Sequence, residues 1–459
     1  MSEEHLRRGL KPHHLQFISI GGIIGSAYFL GTGGAVAQAG PAAVWAYLLG
    51  GLLVYLVMLC LGELAVHIPT SGSFVGYASE FVSPAFGCGV GWSYWLNWVA
   101  FVPSEMIAAG RIMHDFVPSV GILPWAFLFG ALLTALNLVD VGNFGEMEFW
   151  LCLVKIVAIL AFILLAAGIY LGGWAGRGHL AAGMFPHGWS AVLTTMVIIL
   201  VNFQGTEIIG LAAAESENPG ESIPAAVTAV SYRIIALYVL PVLLLVLIMP
   251  WNEASMDRSV FSVALERYGL HKVAACLSFV VLTAAISCSN SGIYATSRAL
   301  FALSKEGMAP RFLGSLNAQG APQAAILLTV AGCWLVLGMT YLDQSGKFYE
   351  RLLAIAGFTG TITWISICWA QFNFRWRLRA EGISEGRLRF RAPAFPYLSL
   401  FAIFALAGCL LAAARTPDFG QAIYLAAVLL VVPMLAYKIW GRPCGARRSM
   451  QQLFPEEEP

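Results

Sequence analysis

The sequence predicts an all-α polytopic membrane protein of twelve transmembrane helices, built as a five-plus-five inverted repeat followed by two further helices. Three observations carry this. Of 459 residues, 59% are hydrophobic and only 11% charged, against about 25% charged in soluble domains. Twelve apolar stretches, most of them near the roughly 20 residues that a bilayer core requires, follow one another with short polar connections. Two of these stretches, five apart, are interrupted by residues that suit neither a continuous helix nor lipid.

The stretches run near 16 to 37, 42 to 66, 87 to 113, 122 to 140, 147 to 172 and 189 to 213, then 229 to 250, 272 to 300, 323 to 342, 350 to 373, 396 to 414 and 420 to 440. Between and around them stand Pro41, Pro118, Pro186, Pro219, Pro322, Pro393 and Pro417. The organisation expected is a cytoplasmic tail at 1–15, repeat one at 16–173 and repeat two at 189–373. A basic cytoplasmic loop at 374–395, spans 11 and 12 at 396–440 and a cytoplasmic tail at 441–459 complete it. The N-terminal basic tail precedes an apolar run that holds Gly21, Gly22 and Gly25 and leads at once into further apolar runs, so it reads as retained rather than as a cleaved signal. An even number of spans puts both termini on one side. Seventeen Lys and Arg residues then fall on that side and eight on the other, with Lys155 inside a span. The bias places both termini in the cytoplasm and the protein in the cell inner membrane.

A net charge of +1 supplies no field for a polyanion, so no nucleic-acid partner is expected. The nine cysteines include no CxxC pair and have no histidine at ligand spacing, so no metal or cofactor is expected. The longest polar connections, near 251 to 271 and 374 to 395, are about 20 residues, too short for a soluble catalytic domain, and no HExxH, GxSxG or paired catalytic carboxylates occur. The chain therefore reads as a non-enzyme, with no catalytic residues, that works within the membrane.

Span 1 carries six glycines between positions 21 and 34. Each interior glycine costs a helix about 0.5–1 kcal/mol relative to alanine. The run serves either close packing of small residues, Gly21 and Gly25 being one such pair, or a broken helix whose freed N–H groups face a carboxylate at mid-membrane. Span 6 is interrupted by Asn202-Phe203-Gln204-Gly205-Thr206-Glu207. Disruptions five spans apart make a repeat of five helices, and an odd repeat forces its two copies into opposite orientations, as in secondary transporters.

GGIIGSAYFLGTG at 21–33, LGELAVHIPTSGSF at 61–74, GWSYWLNW at 91–98, FQGTEIIG at 203–210, ESENPGESIP at 215–224 and SGIYATSRALFALSKEGMAP at 291–310 together resemble the amino acid transporter branch of the amino acid-polyamine-organocation superfamily. The resemblance runs in order over roughly the first 330 residues. It implies a leucine-transporter-like fold, a secondary active amino acid permease working by alternating access, and a small-molecule amino acid held between the unwound parts of helices 1 and 6. It further implies that Gly25, Ser26 and Ala27 bind the substrate's carboxylate, with Ile23 also at the substrate site. Relatives usually have a second glycine where this chain has Ala27, followed by Tyr28, so the space there is tighter.

Several buried polar residues have competing readings. Lys155 lies about 9 Å inside span 5; it either snorkels to the interface or is a buried amine that exchanges a proton. By resemblance, a lysine there replaces a sodium ion between helices 1 and 8. That implies protons as the coupling ion, with Ser287 and Ser289 as neighbours. Glu207 is a proton carrier, a partner for the substrate's amine, or a cap for freed N–H groups, and Phe203 is a gate over the substrate or ordinary packing; Gly205 between them and Glu105 are expected at the substrate site with them. Glu105, between Pro103 and Met106, is either water-lined or paired with Arg111, since an unpaired carboxylate in lipid is costly. The two glutamates permit a cationic substrate side chain. Glu63 is expected to be an interfacial residue of the cytoplasmic gate. The expected function is proton-coupled import of amino acids; the rivals are an obligate exchanger, for which Lys155 would be structural, and a non-transporting sensor, disfavoured by the short cytoplasmic loops.

Overall fold

The computed structural model describes residues 17, 22–70, 72–139, 144–175, 183–213, 216, 218–317, 320–343, 348–415, 420–440 and 450–454. Gly21, both tails apart from 450–454, and part of the 215–224 motif lie outside these.

Among the described residues there is no β-strand, and every expected apolar stretch is helical over most of its length. The helices are α1 (Ser26–Ala39), α2 (Ala43–His67), α3 (Phe74–Phe81), α4 (Pro84–Phe116), α5 (Ile122–Val139) and α6 (Phe144–Leu171). They continue with α7 (Gly188–Val201), α8 (Ile208–Ala212), α9 (Pro219–Ile234), α10 (Leu240–Ile248), α11 (Val260–Glu266) and α12 (His271–Lys305). The last are α13 (Gln323–Met339), α14 (Phe348–Ala380), α15 (Tyr397–Ala414), α16 (Gly420–Trp440) and α17 (Met450–Leu453). Six helical stretches among the described residues are long and apolar enough to cross a membrane: Ser26–His67, Glu146–Leu171, Pro219–Ile248, His271–Lys305, Phe348–Ala380 and Tyr397–Ala414. Four shorter apolar helices accompany them, within α5, α7, α13 and α16.

Helix α4 is the axis of the bundle. Its residues from Val99 to Gly110 are all buried, and α12, α14, α5 and α16 pack along it. Small residues permit this crowding: a Cβ on Gly292 of α12 would run into the Trp98 ring, and one on Gly91 would lie 2.7 Å from Leu303 Cδ2. The peripheral helices keep one apolar face outward, as at Trp150, Val157, Leu164, Phe404 and Tyr424, all exposed. Exposed apolar side chains on this scale require a lipid solvent.

Glu63 is buried completely among protein side chains. Its oxygens accept from Arg375 Nε at 2.5 Å, Arg375 Nη2 at 2.8 Å, Gln371 Nε2 at 3.0 Å and the Ala392 backbone N–H at 2.6 Å. Arg375 Nη1 also donates to Glu385. A bidentate arginine–carboxylate pair thus joins α14 to α2, and the Ala392 N–H ties the α14–α15 connection to the same carboxylate. Glu63→Ala removes the bidentate partner of a buried guanidinium and leaves it Glu385 and the Ala392 carbonyl, the latter at 3.1 Å, a type of loss worth about 3 kcal/mol. A clear fall in the melting temperature of the detergent-solubilised protein is expected, and an unchanged melting temperature would refute the anchoring role.

Candidate substrate site

The two interrupted stretches meet. Residues Gly22–Gly25 are non-helical and α1 begins only at Ser26, with Gly25 in extended backbone as its N-cap. The second interruption, 202–207, is a chain of turns between α7 and α8. Gly205 has φ of +102°, and a Cβ on it would collide with the Gly22 carbonyl. Only glycine meets both demands. Gly205→Ala should therefore separate the segments and lower the melting temperature of the detergent-solubilised protein while membrane insertion persists; an unchanged melting temperature would show that the close approach is dispensable.

The freed backbone groups of the first segment have specific partners. Ser26 N–H donates to Glu105 Oε2 at 2.8 Å and Ala27 N–H to Glu105 Oε1 at 3.3 Å. The Cys288 thiol donates to the Gly22 carbonyl at 3.1 Å, and the Ile23 carbonyl accepts from Gly25 N–H at 3.2 Å. Gly25 is the residue that lets the carboxylate approach: a Cβ there would lie 2.8 Å from Glu105 Oε1 and 3.0 Å from Cys288 Sγ. Glu105 is wholly buried. It makes no ion pair with Arg111 among the described residues; the Arg111 guanidinium instead sits 4.8 Å from the Tyr349 ring centroid.

The second segment is tied down at both ends. Glu207 accepts from Tyr94 OH at 3.1 Å, from Trp364 Nε1 at 3.1 Å and from the Gly205 N–H at 3.1 Å. Its carboxylate therefore joins α4, α14 and the interruption, and also satisfies a freed N–H. Asn202 Nδ2 donates to Tyr47 OH at 2.6 Å and Gln204 Nε2 to the Ala356 carbonyl at 2.7 Å. Phe203 is buried in an aromatic cluster, 4.7 Å from Tyr238 and 6.1 Å from Tyr47 between ring centroids. Tyr28, the large residue after Ala27, joins the same cluster at 4.7 Å from Tyr238.

Lys155 does not snorkel: it is wholly buried on α6 and donates to Ser287 Oγ at 2.7 Å. Ser287 in turn donates to Glu148, whose Oε1 is 4.0 Å from Lys155 Nζ. Ser289 is buried with its hydroxyl unpartnered. Sequence reasoning passed over Glu148. Its spacing of seven from Lys155, two helical turns on one face, was the available signal. Cys288 gave none, since a lone cysteine in an apolar run reads as packing. Ser287 and Cys288 are consecutive on α12, one touching Lys155 and the other the unwound segment. The charged cluster is thereby linked covalently and by hydrogen bonds to the carboxylate-binding backbone.

Apolar helices around two apposed backbone breaks, one of them already holding a carboxylate on helix N-terminal N–H groups, define a multi-pass membrane protein with a polar site in its interior. Residues 14–453 match the family model for amino acid permeases. The chain is 38% identical over 444 residues to the amino-acid permease RocE of Bacillus subtilis (strain 168), covering 95% of each. It is 35% identical over 484 residues to the lysine-specific permease LysP of Escherichia coli (strain K12), covering 99% of this chain and 97% of that one. To the aromatic amino acid transport protein AroP of Salmonella typhimurium (strain SL1344) it is 33% identical over 440 residues, covering 95% of each. The chain belongs to the amino acid permease family, within the amino acid-polyamine-organocation superfamily.

Proposed function

We propose that this permease is a proton-coupled amino acid symporter of twelve spans and leucine-transporter-like fold, with both termini cytoplasmic. The substrate's carboxylate sits on the N–H groups of Ser26 and Ala27, and alternating access exposes the site to either side of the membrane in turn. The observation that carries the reading is the Glu105 carboxylate on those two N–H groups: the unwound segment offers donors spaced for two oxygens of one carboxylate. Phe203 and the tyrosines around it bound the site on the α7–α8 side.

Lys155 supplies coupling. A buried ammonium that shares Ser287 with Glu148 is favourable only while its partners are in place; a rearrangement of the unwound segment, transmitted through Cys288 and Ser287, changes that balance. Uptake of a labelled amino acid panel into proteoliposomes tests the substrate class. Amino acids should compete with one another for uptake, and their methyl esters, which lack the charged carboxylate, should not. Competition by the esters at comparable concentration would defeat the carboxylate assignment.

Glu207 is bound by three donors on three elements, so Glu207→Gln should weaken cationic and neutral amino acids alike, by about tenfold or more, through loss of the site's frame. Binding constants for one substrate of each class check this. A loss confined to cationic substrates would instead make Glu207 the side-chain receptor.

A further inference from the structure

Glu105 holds the N–H groups that the proposed reading assigns to substrate. Its two oxygens take one N–H each, in the way that an α-carboxylate would. Gly25, with no side chain, leaves the face of these N–H groups open: a Cβ there would lie 2.8 Å from Glu105 Oε1. The Glu105 carboxylate is tethered to α4 by a three-bond side chain, and its Ala27 contact is long at 3.3 Å; a free carboxylate is under no such tether.

We propose that Glu105 is a tethered competitor for the substrate's carboxylate: the amino acid binds by displacing Glu105 from Ser26 and Ala27, and the released carboxylate then takes the substrate's α-ammonium. This rests on the carboxylate assignment above and adds a selection rule to it. A zwitterion brings an anion for the N–H groups and a cation for Glu105, so charge is conserved in the buried site. A carboxylic acid lacking the amine would leave two anions in the same low-dielectric space and is rejected. An amine lacking the carboxylate can meet Glu105 but gains nothing from the N–H groups.

The test uses purified full-length protein and three ligands: the best amino acid from the uptake panel, its deaminated acid and its decarboxylated amine. For lysine these are 6-aminohexanoate and 1,5-diaminopentane. In Glu105→Gln the deaminated acid should bind at least about tenfold tighter than in wild type, and the amine at least about tenfold weaker. A simple capping role predicts weaker binding of all three ligands, and that result overturns the proposal. So does an unchanged ratio of acid to amino acid. If Glu105→Gln is not recovered folded, Glu105→Asp withdraws the carboxylate by one methylene and should shift the acid-to-amino-acid ratio in the same direction; no shift there overturns the proposal equally. Ser26→Leu measured alongside separates the two levels. Wild-type amino acid affinity in that variant would remove the carboxylate assignment itself, whereas loss of binding there with an unaltered ratio in Glu105→Gln would remove only the competitor.

Discussion

Gly25→Leu abolishes amino acid binding, by about a hundredfold or more, equivalent to about 2.7 kcal/mol. Even the first carbon of any side chain at this position lands 2.8 Å from Glu105 Oε1 and 3.0 Å from Cys288 Sγ, so the leucine branch must occupy the space in front of the Ser26 and Ala27 N–H groups. The effect is local. Gly25 is the N-cap of α1 and lies outside its regular turns, so the helix beyond it persists and the protein still inserts. Isothermal titration with the purified variant checks the result, with size-exclusion behaviour as the control for folding. Affinity within threefold of wild type would place the substrate carboxylate elsewhere.

Lys155→Ala removes concentrative uptake driven by an inward proton gradient, leaving only equilibration of substrate across the membrane. The substitution also strands Glu148, which loses the cation 4.0 Å from its Oε1. An uncompensated buried charge of that kind costs about 3–5 kcal/mol. Stability and coupling are separated by the double variant Lys155→Ala with Glu148→Gln, in which both charges are gone and Ser287 keeps a neutral partner. That variant should recover the melting temperature without recovering concentrative uptake. Accumulation against a gradient by the folded double variant would show that neither group carries the proton.

The sequence made the backbone breaks legible because their cause is local: glycines at 22 and 25, and a polar hexapeptide at 202–207, cannot form ordinary apolar helix. Lys155 was legible for the same reason, as a charge where lipid tolerates none. What the breaks do to one another was not. Glu105 and Ser26 are 79 positions apart, Tyr94 and Glu207 113 apart, and Glu63 and Arg375 312 apart; no periodicity along one helix encodes such pairings. That Glu63 would be held by Arg375 of α14 and by the Ala392 N–H of the α14–α15 connection was not legible, because the arginines there look like part of a solvated basic loop. The glycine pair Gly22 and Gly205 illustrates the limit most clearly. Each glycine signals a constraint, yet that each constrains the other is visible only when the two segments touch.

Symport and exchange differ in one observable. Wild-type protein is reconstituted into liposomes containing no amino acid, an inward proton gradient is imposed, and the internal concentration of labelled substrate is followed. Proton-coupled symport by this permease predicts accumulation above the external concentration that collapses when the gradient is dissipated. Uptake that requires amino acid preloaded inside the liposomes, and that ignores the gradient, would contradict it and make the protein an exchanger.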